Sequence, residues 1–122
     1  MSAKNNGEVL SCYKGTHADS NLDLVRRTLA EDPENELLKD WLALNLYQAE
    51  RFDEALVLYQ ELLEKSQGTT DQHYYLGNCH YALGQLEAAC KEWQEVIKID
   101  PTGKPAQKVI RKLQKLNDLE AA

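Results

Sequence analysis

Apolar residues in this chain recur at helical spacing, separated by short polar breaks, and they do not alternate as a strand requires. Leu22, Val25 and Leu29 share one face; Leu38, Trp41, Leu42, Leu46 and Ala49 form a second stripe. Ala55, Leu56, Leu58, Tyr59, Leu62 and Leu63 form a third. The spacing predicts helices over about 21–32, 35–49, 53–66, 71–83, 86–98 and 105–119. The breaks carry matching turn chemistry. Ser20 offers an N-cap with Asp23 three places on, and Asp53 can cap the third helix. Pro33 and Pro101 disfavour helix in the residue before them, Gly84 suits a left-handed C-cap, and Pro105 suits a first turn. Residues 1–19 are polar and weakly patterned, and read as a flexible or partly ordered N-terminal segment with a short ordered piece near Val9–Tyr13.

The chain repeats itself. Shifted by 34 residues, Leu42 falls on Leu76, Tyr47 on Tyr81, Ala55 on Ala89, Gln60 on Gln94 and Glu61 on Glu95. Ala43 falls on Gly77, Tyr59 on Trp93, and Leu62-Leu63 on Val96-Ile97. Pro33 and Pro101 lie two periods apart, and Leu22, Val25 and Leu29 align with the second helix of each later unit.

Period and residues together resemble the tetratricopeptide repeat family, whose pattern is W-x2-L-G-x2-Y, A-x3-F and a closing proline. Residues 70–103 carry Leu76-Gly77, then His80-Tyr81 near the tyrosine place, Ala89-x3-Trp93 and Pro101. Residues 36–69 carry Leu42-Ala43 and Ala55-x3-Tyr59, with Gln67 in place of proline. The resemblance implies an all-α helix-turn-helix solenoid over 20–119: a leading helix 21–32, repeats 36–69 and 70–103, and a capping helix 105–119. It also accounts for a glycine inside a helix. Gly77, like Ala43, lets the second helix of its hairpin approach, opposite Ala89 and Ala55 respectively. The equivalent residue of the last helix is Arg111, which suits an end with a polar outer face.

The resemblance further implies a non-catalytic protein-binding module, an adaptor or assembly scaffold, that takes a peptide or helix in a concave groove. The first unit would present Asp40, Leu44, Tyr47 and Gln48; the next would present Asp71, Tyr74, Asn78 and Tyr81. The last helix would add Lys108, Lys112 and Lys115 on one stripe. Tyrosines beside lysines suit a partner with apolar anchors and acidic groups. One subgroup of the family clamps acidic chaperone tails with a lysine and an asparagine four apart; here Asp40 and Leu44 stand at those places, and Tyr74 stands where a lysine would precede Asn78. In the groove reading Asn78 bonds ligand backbone, so Asn78→Ala with Lys112→Glu weakens binding and leaves thermal stability unchanged. Self-association into a homodimer is the alternative, because the incomplete first unit leaves an apolar helix side to cover. A chaperone for a secretion or pilus component is a further one.

Charge sharpens the picture. The 122 residues carry a net charge of −6, yet residues 102–122 sum to +3, which leaves −9 on the rest. An acidic body argues against nucleic-acid binding. No apolar run approaches the length of a membrane span, and the start of the chain lacks a signal-peptide core. Cys12, Cys79 and Cys90 are odd in number and widely spaced, as expected of free thiols in a cytoplasmic protein. With His17, His73 and His80 they show no metal-ligand spacing, and no phosphate loop or nucleophile motif is present, so neither cofactor nor metal is expected.

Overall fold

A computed structural model describes residues 17–121, which form six helices. They are α1 (His17–Glu31), α2 (Glu36–Gln48), α3 (Phe52–Lys65), α4 (Thr70–Ala82), α5 (Leu86–Ile99) and α6 (Lys104–Ala121). No strand occurs among the described residues. The fold is an all-α solenoid: each helix packs on the next, α4 also touches α2, and α6 also touches α4. The reading of residues 1–16, with its ordered piece at Val9–Tyr13, lies outside the described residues.

The boundaries repeat. The ends of α2 and α3 recur 34 residues later as the ends of α4 and α5. Asn35 caps α2 by accepting from the Leu38 N–H at 3.1 Å, and Thr69 caps α4 in a reciprocal box with Gln72. At the end of α4 the Gln85 N–H reaches the His80 carbonyl at 2.8 Å and the Gly84 N–H reaches Tyr81 at 3.0 Å, with Gly84 at φ 80°. This is the Schellman closure, and it needs a left-handed residue. The end of α2 closes the same way, Arg51 to Leu46 and Glu50 to Tyr47, but with a glutamate at φ 62°.

Two cap assignments differ from the sequence reading. The helix α1 already runs from His17, so Ser20 lies inside it. Arg51, not Asp53, precedes α3, and the Asp53 carboxylate accepts from the adjacent Glu54 N–H instead. The Schellman closure of α2 ends at Arg51, and this brings the next helix in one residue early.

The core is a row of buried residues contributed by successive helices. Leu22 and Val25 of α1 join Leu42, Ala43 and Leu46 of α2, Ala55, Tyr59 and Leu62 of α3, and Leu76 and Cys79 of α4. Ala89, Trp93 and Val96 of α5 join Ala106 and Val109 of α6. Gly77 makes the second group possible. A Cβ there would stand 2.4 Å from Trp93 Cδ1 and Nε1, so the indole occupies the space and Ala89 is not the neighbour that requires the glycine. In the first unit the smaller Tyr59 stands in register with Trp93, and Ala43 in register with Gly77.

Candidate functional site

The expected groove residues lie on α2, α4 and α6, of which α2 touches α4 and α4 touches α6, but not all of them remain free. Asn78 is 8% exposed. Its Nδ2 donates to Tyr47 Oη at 3.1 Å, and its Oδ1 accepts from Trp93 Nε1 at 3.2 Å. It therefore ties α2 to α4 and α4 to α5. This corrects the expectation that Asn78 can be removed without loss of stability: an alanine strands the buried indole N–H, which costs about 1–3 kcal/mol. A lowered melting midpoint of Asn78→Ala in thermal denaturation checks it.

Tyr47 is similarly committed. Its ring packs edge-on to Phe52 at 5.6 Å between centroids and lies 4.9 Å from Tyr75, which in turn stacks on Tyr59 at 6.2 Å. Burial pushes the Tyr47 hydroxyl above its ordinary range, partly opposed by the hydrogen bond from Asn78. Asp40 accepts from Gln72 Nε2 at 3.1 Å, so its carboxylate joins α2 to the start of α4. Leu44 is half-buried, and Gln48 and Asp71 are exposed.

The remaining residues meet at the α4–α5–α6 corner. Lys108 Nζ lies 5.8 Å from the Tyr74 ring centroid, and Lys112 Nζ lies 5.8 Å from that of Trp93. Tyr81, 45% exposed, leans on Trp93 with centroids 5.8 Å apart. Tyr81, Trp93, Lys112, Lys115, Leu116 and Leu119 line a cleft of about 240 Å³. None of the three lysines forms an ion pair among the described residues. Ammonium groups over aromatic faces are held in place while their outer sides stay available. Trp93, Leu116 and Leu119 were not among the expected site residues. The two leucines continue the Lys112–Lys115 stripe at i+4, a signal that was present; Trp93 is 1% exposed and its spacing marks it only as a core position of the repeat.

The titratable groups elsewhere are structural. His73 Nε2 lies 2.8 Å from the Gln67 carbonyl and Nδ1 lies 2.7 Å from Glu92 Oε1. Cys79 is fully buried, and burial pushes its thiol up to about 12. No group of His, Cys, Asp or Glu among the described residues could hold a metal ion. No described helix is long and apolar enough to cross a membrane. A wider depression of about 800 Å³ lies between α5 and α6, lined by Leu86, Cys90 and Lys91 among others, and shares Leu116 with the cleft.

The family model of the tetratricopeptide repeat matches residues 46–113. This chain belongs to the tetratricopeptide repeat family. Anaphase-promoting complex subunit 3 of Dictyostelium discoideum is 26% identical over an alignment of 108 residues that covers 83% of this chain. The chain spans only 11% of that protein's length. Among solved structures, the first tetratricopeptide domain of Spaghetti (RPAP3), bound to the HSP90 peptide SRMEEVD, superposes with a TM-score of 0.74 at 20% identity, covering 95% of this chain and 90% of that one. A MamA structure superposes with a TM-score of 0.72 at 21% identity, over 93% of this chain and 66% of that one. At such identities the likeness is one of fold. A tetratricopeptide repeat is a scaffold for protein–protein interaction, and that is the function class of this chain.

Proposed function

We propose that the chain is a non-catalytic adaptor or assembly scaffold that binds a peptide or helix of another protein in its concave groove. The observation that carries this is the α4–α5–α6 corner: an aromatic and aliphatic cleft beside Lys108, Lys112 and Lys115, which lack carboxylate partners among the described residues. An apolar side chain of the ligand enters the cleft and its acidic groups lie along α6. The α2 half of the groove, with Asp40 and Leu44, gives no cationic contact, so the ligand's charge is read at the α6 end alone. A neighbour of the same fold bound to SRMEEVD, a peptide rich in carboxylates, supports an acidic ligand. Asn78 and Tyr47 shape the groove floor and act as positioning residues.

Capture from native lysate with the intact chain tests the reading, beside Lys108→Glu/Lys112→Glu and a control Lys91→Glu on the outer side of α5. The expected result is a protein retained by the wild type and the control and lost with the groove variant. Retention by all three removes the groove reading.

A further inference from the structure

Two corners of the molecule carry opposite charge and each exposes apolar surface. The C-terminal corner is the cleft described above, where Leu119 is 72% exposed and the charge over 102–122 is +3. The N-terminal corner is the first turn of α2 and the chain entering it. Leu37 is 82% exposed and Trp41 is 45% exposed, one helical turn apart, so they form a single ridge. Around them Glu31, Asp32, Glu34, Glu36 and Asp40 stand against Lys39 alone, a net −4 over residues 31–44. Glu34 is drawn to Lys65 at 3.0 Å and Asp40 to Gln72, while Glu36 has no ion-pair partner among the described residues.

We propose that the chain binds a second copy of itself head to tail, with the Leu37–Trp41 ridge of one copy seated in the Tyr81–Leu116–Leu119 cleft of the next. The proposal rests on the groove reading in that it uses the same cleft as a docking site, and it names a second copy as an occupant. A cavity of 150 Å³ admits a benzene ring, so a cleft of about 240 Å³ takes one large side chain of the ridge, and the other lies on its rim. Glu36 then lies beside Lys112 and Lys115, and the −4 and +3 regions face each other. The two surfaces differ, so the contact is heterologous. A bound pair still offers one free ridge and one free cleft, and assembly runs on unless a rotation closes it. Self-docking occupies the partner groove, so an acidic, apolar ligand dissociates the assembly.

Sedimentation of the full chain over a range of protein and salt concentrations tests this with two surface variants. Lys112→Glu/Lys115→Glu disables the cleft, and Leu37→Ser/Trp41→Ser disables the ridge without adding a charge that would suit the altered cleft. All four positions are at least partly exposed, so unchanged circular dichroism and melting midpoint are the folding control. The expected wild-type mass rises with concentration and falls as salt screens the two corners. Each variant alone stays monomeric. Their equimolar mixture forms a one-to-one pair and stops there, because one supplies the intact ridge and the other the intact cleft. A wild type that is monomeric throughout overturns the proposal, as does a variant that assembles alone like the wild type, or a mixture that stays monomeric while the wild type assembles. A monomeric wild type whose groove variant still loses a captured protein removes self-docking and leaves the proposed function standing; pairing in the mixture with no captured protein lost does the reverse.

Discussion

Glu50 and Gly84 occupy the same turn, one period apart, at φ 62° and 80°. The turn is set by its two backbone hydrogen bonds, and only glycine enters it without a Cβ penalty. In Glu50→Gly the relieved strain exceeds the added entropy of the unfolded chain, and stability rises by about 0.5–1 kcal/mol, read as a higher denaturation midpoint. Gly77 is the opposite case, where added volume is harmful. Gly77→Ala drives a methyl into the Trp93 indole and costs about 1–3 kcal/mol. A double-mutant cycle checks the cause: Gly77→Ala with Trp93→Tyr reproduces the Ala43–Tyr59 pairing, so the cycle shows a favourable coupling. The need for a small residue at 77 was legible from the repeat. The identity of its neighbour was not, because Trp93 reaches it from another helix through a rotamer that spacing does not specify.

At the scale of elements, α4 holds the solenoid together. Leu76 to His80 are buried in an unbroken run, so this stretch of the helix is covered on all sides, unlike a two-faced surface helix. Its polar residues are then obliged to find partners, and they do. No buried side-chain polar atom among the described residues lacks one. His73 joins the 66–69 connection to α5 through the Gln67 carbonyl and Glu92. His73→Ala leaves the part-buried Glu92 carboxylate without its partner and returns the exposed Gln67 carbonyl to water, and costs about 0.5–1.5 kcal/mol. Hydrogen exchange locates the damage: amides of 66–72 lose protection first, ahead of α2 and α3. The helices themselves were legible in the sequence to within a few residues, since caps and apolar spacing act within a turn or two. The bonds from Asn78 to Tyr47 and to Trp93 span 31 and 15 residues and belong to packing.

For the whole molecule, burial has a consequence at alkaline pH. The thiol of Cys79 rises from its ordinary 9.0 to about 12, and burial likewise raises Tyr59, Tyr47 and Tyr75 above 10.0. From pH 9.0 to about 12 the folded chain keeps the Cys79 proton that the unfolded chain releases. Stability is therefore fully present below that window and falls as pH rises through it, with the tyrosines adding to the loss above 10.0. Denaturation midpoints across the alkaline range check this, and Cys79→Ala flattens the first part of the decline. The same burial shields the sulfur, so thiol reagents leave Cys79 unlabelled until the chain unfolds.

The sequence by itself determined the helical class, the period of 34, the turns and the family, because each is written in spacings of a few residues or in their recurrence. It also determined the separation of charge between the two ends. The tertiary structure decided which of the expected groove residues stay exposed and which are tied to neighbouring helices. It spent Tyr47, Asp40 and Asn78 on holding α2, α4 and α5 together, and left Tyr81, Lys108, Lys112 and Lys115 open. The physical reason is that a polar side chain on a helix face is equally able to meet a ligand or a neighbouring helix. Only the distance to the nearest donor, acceptor or ring, set by packing across units, determines which it meets.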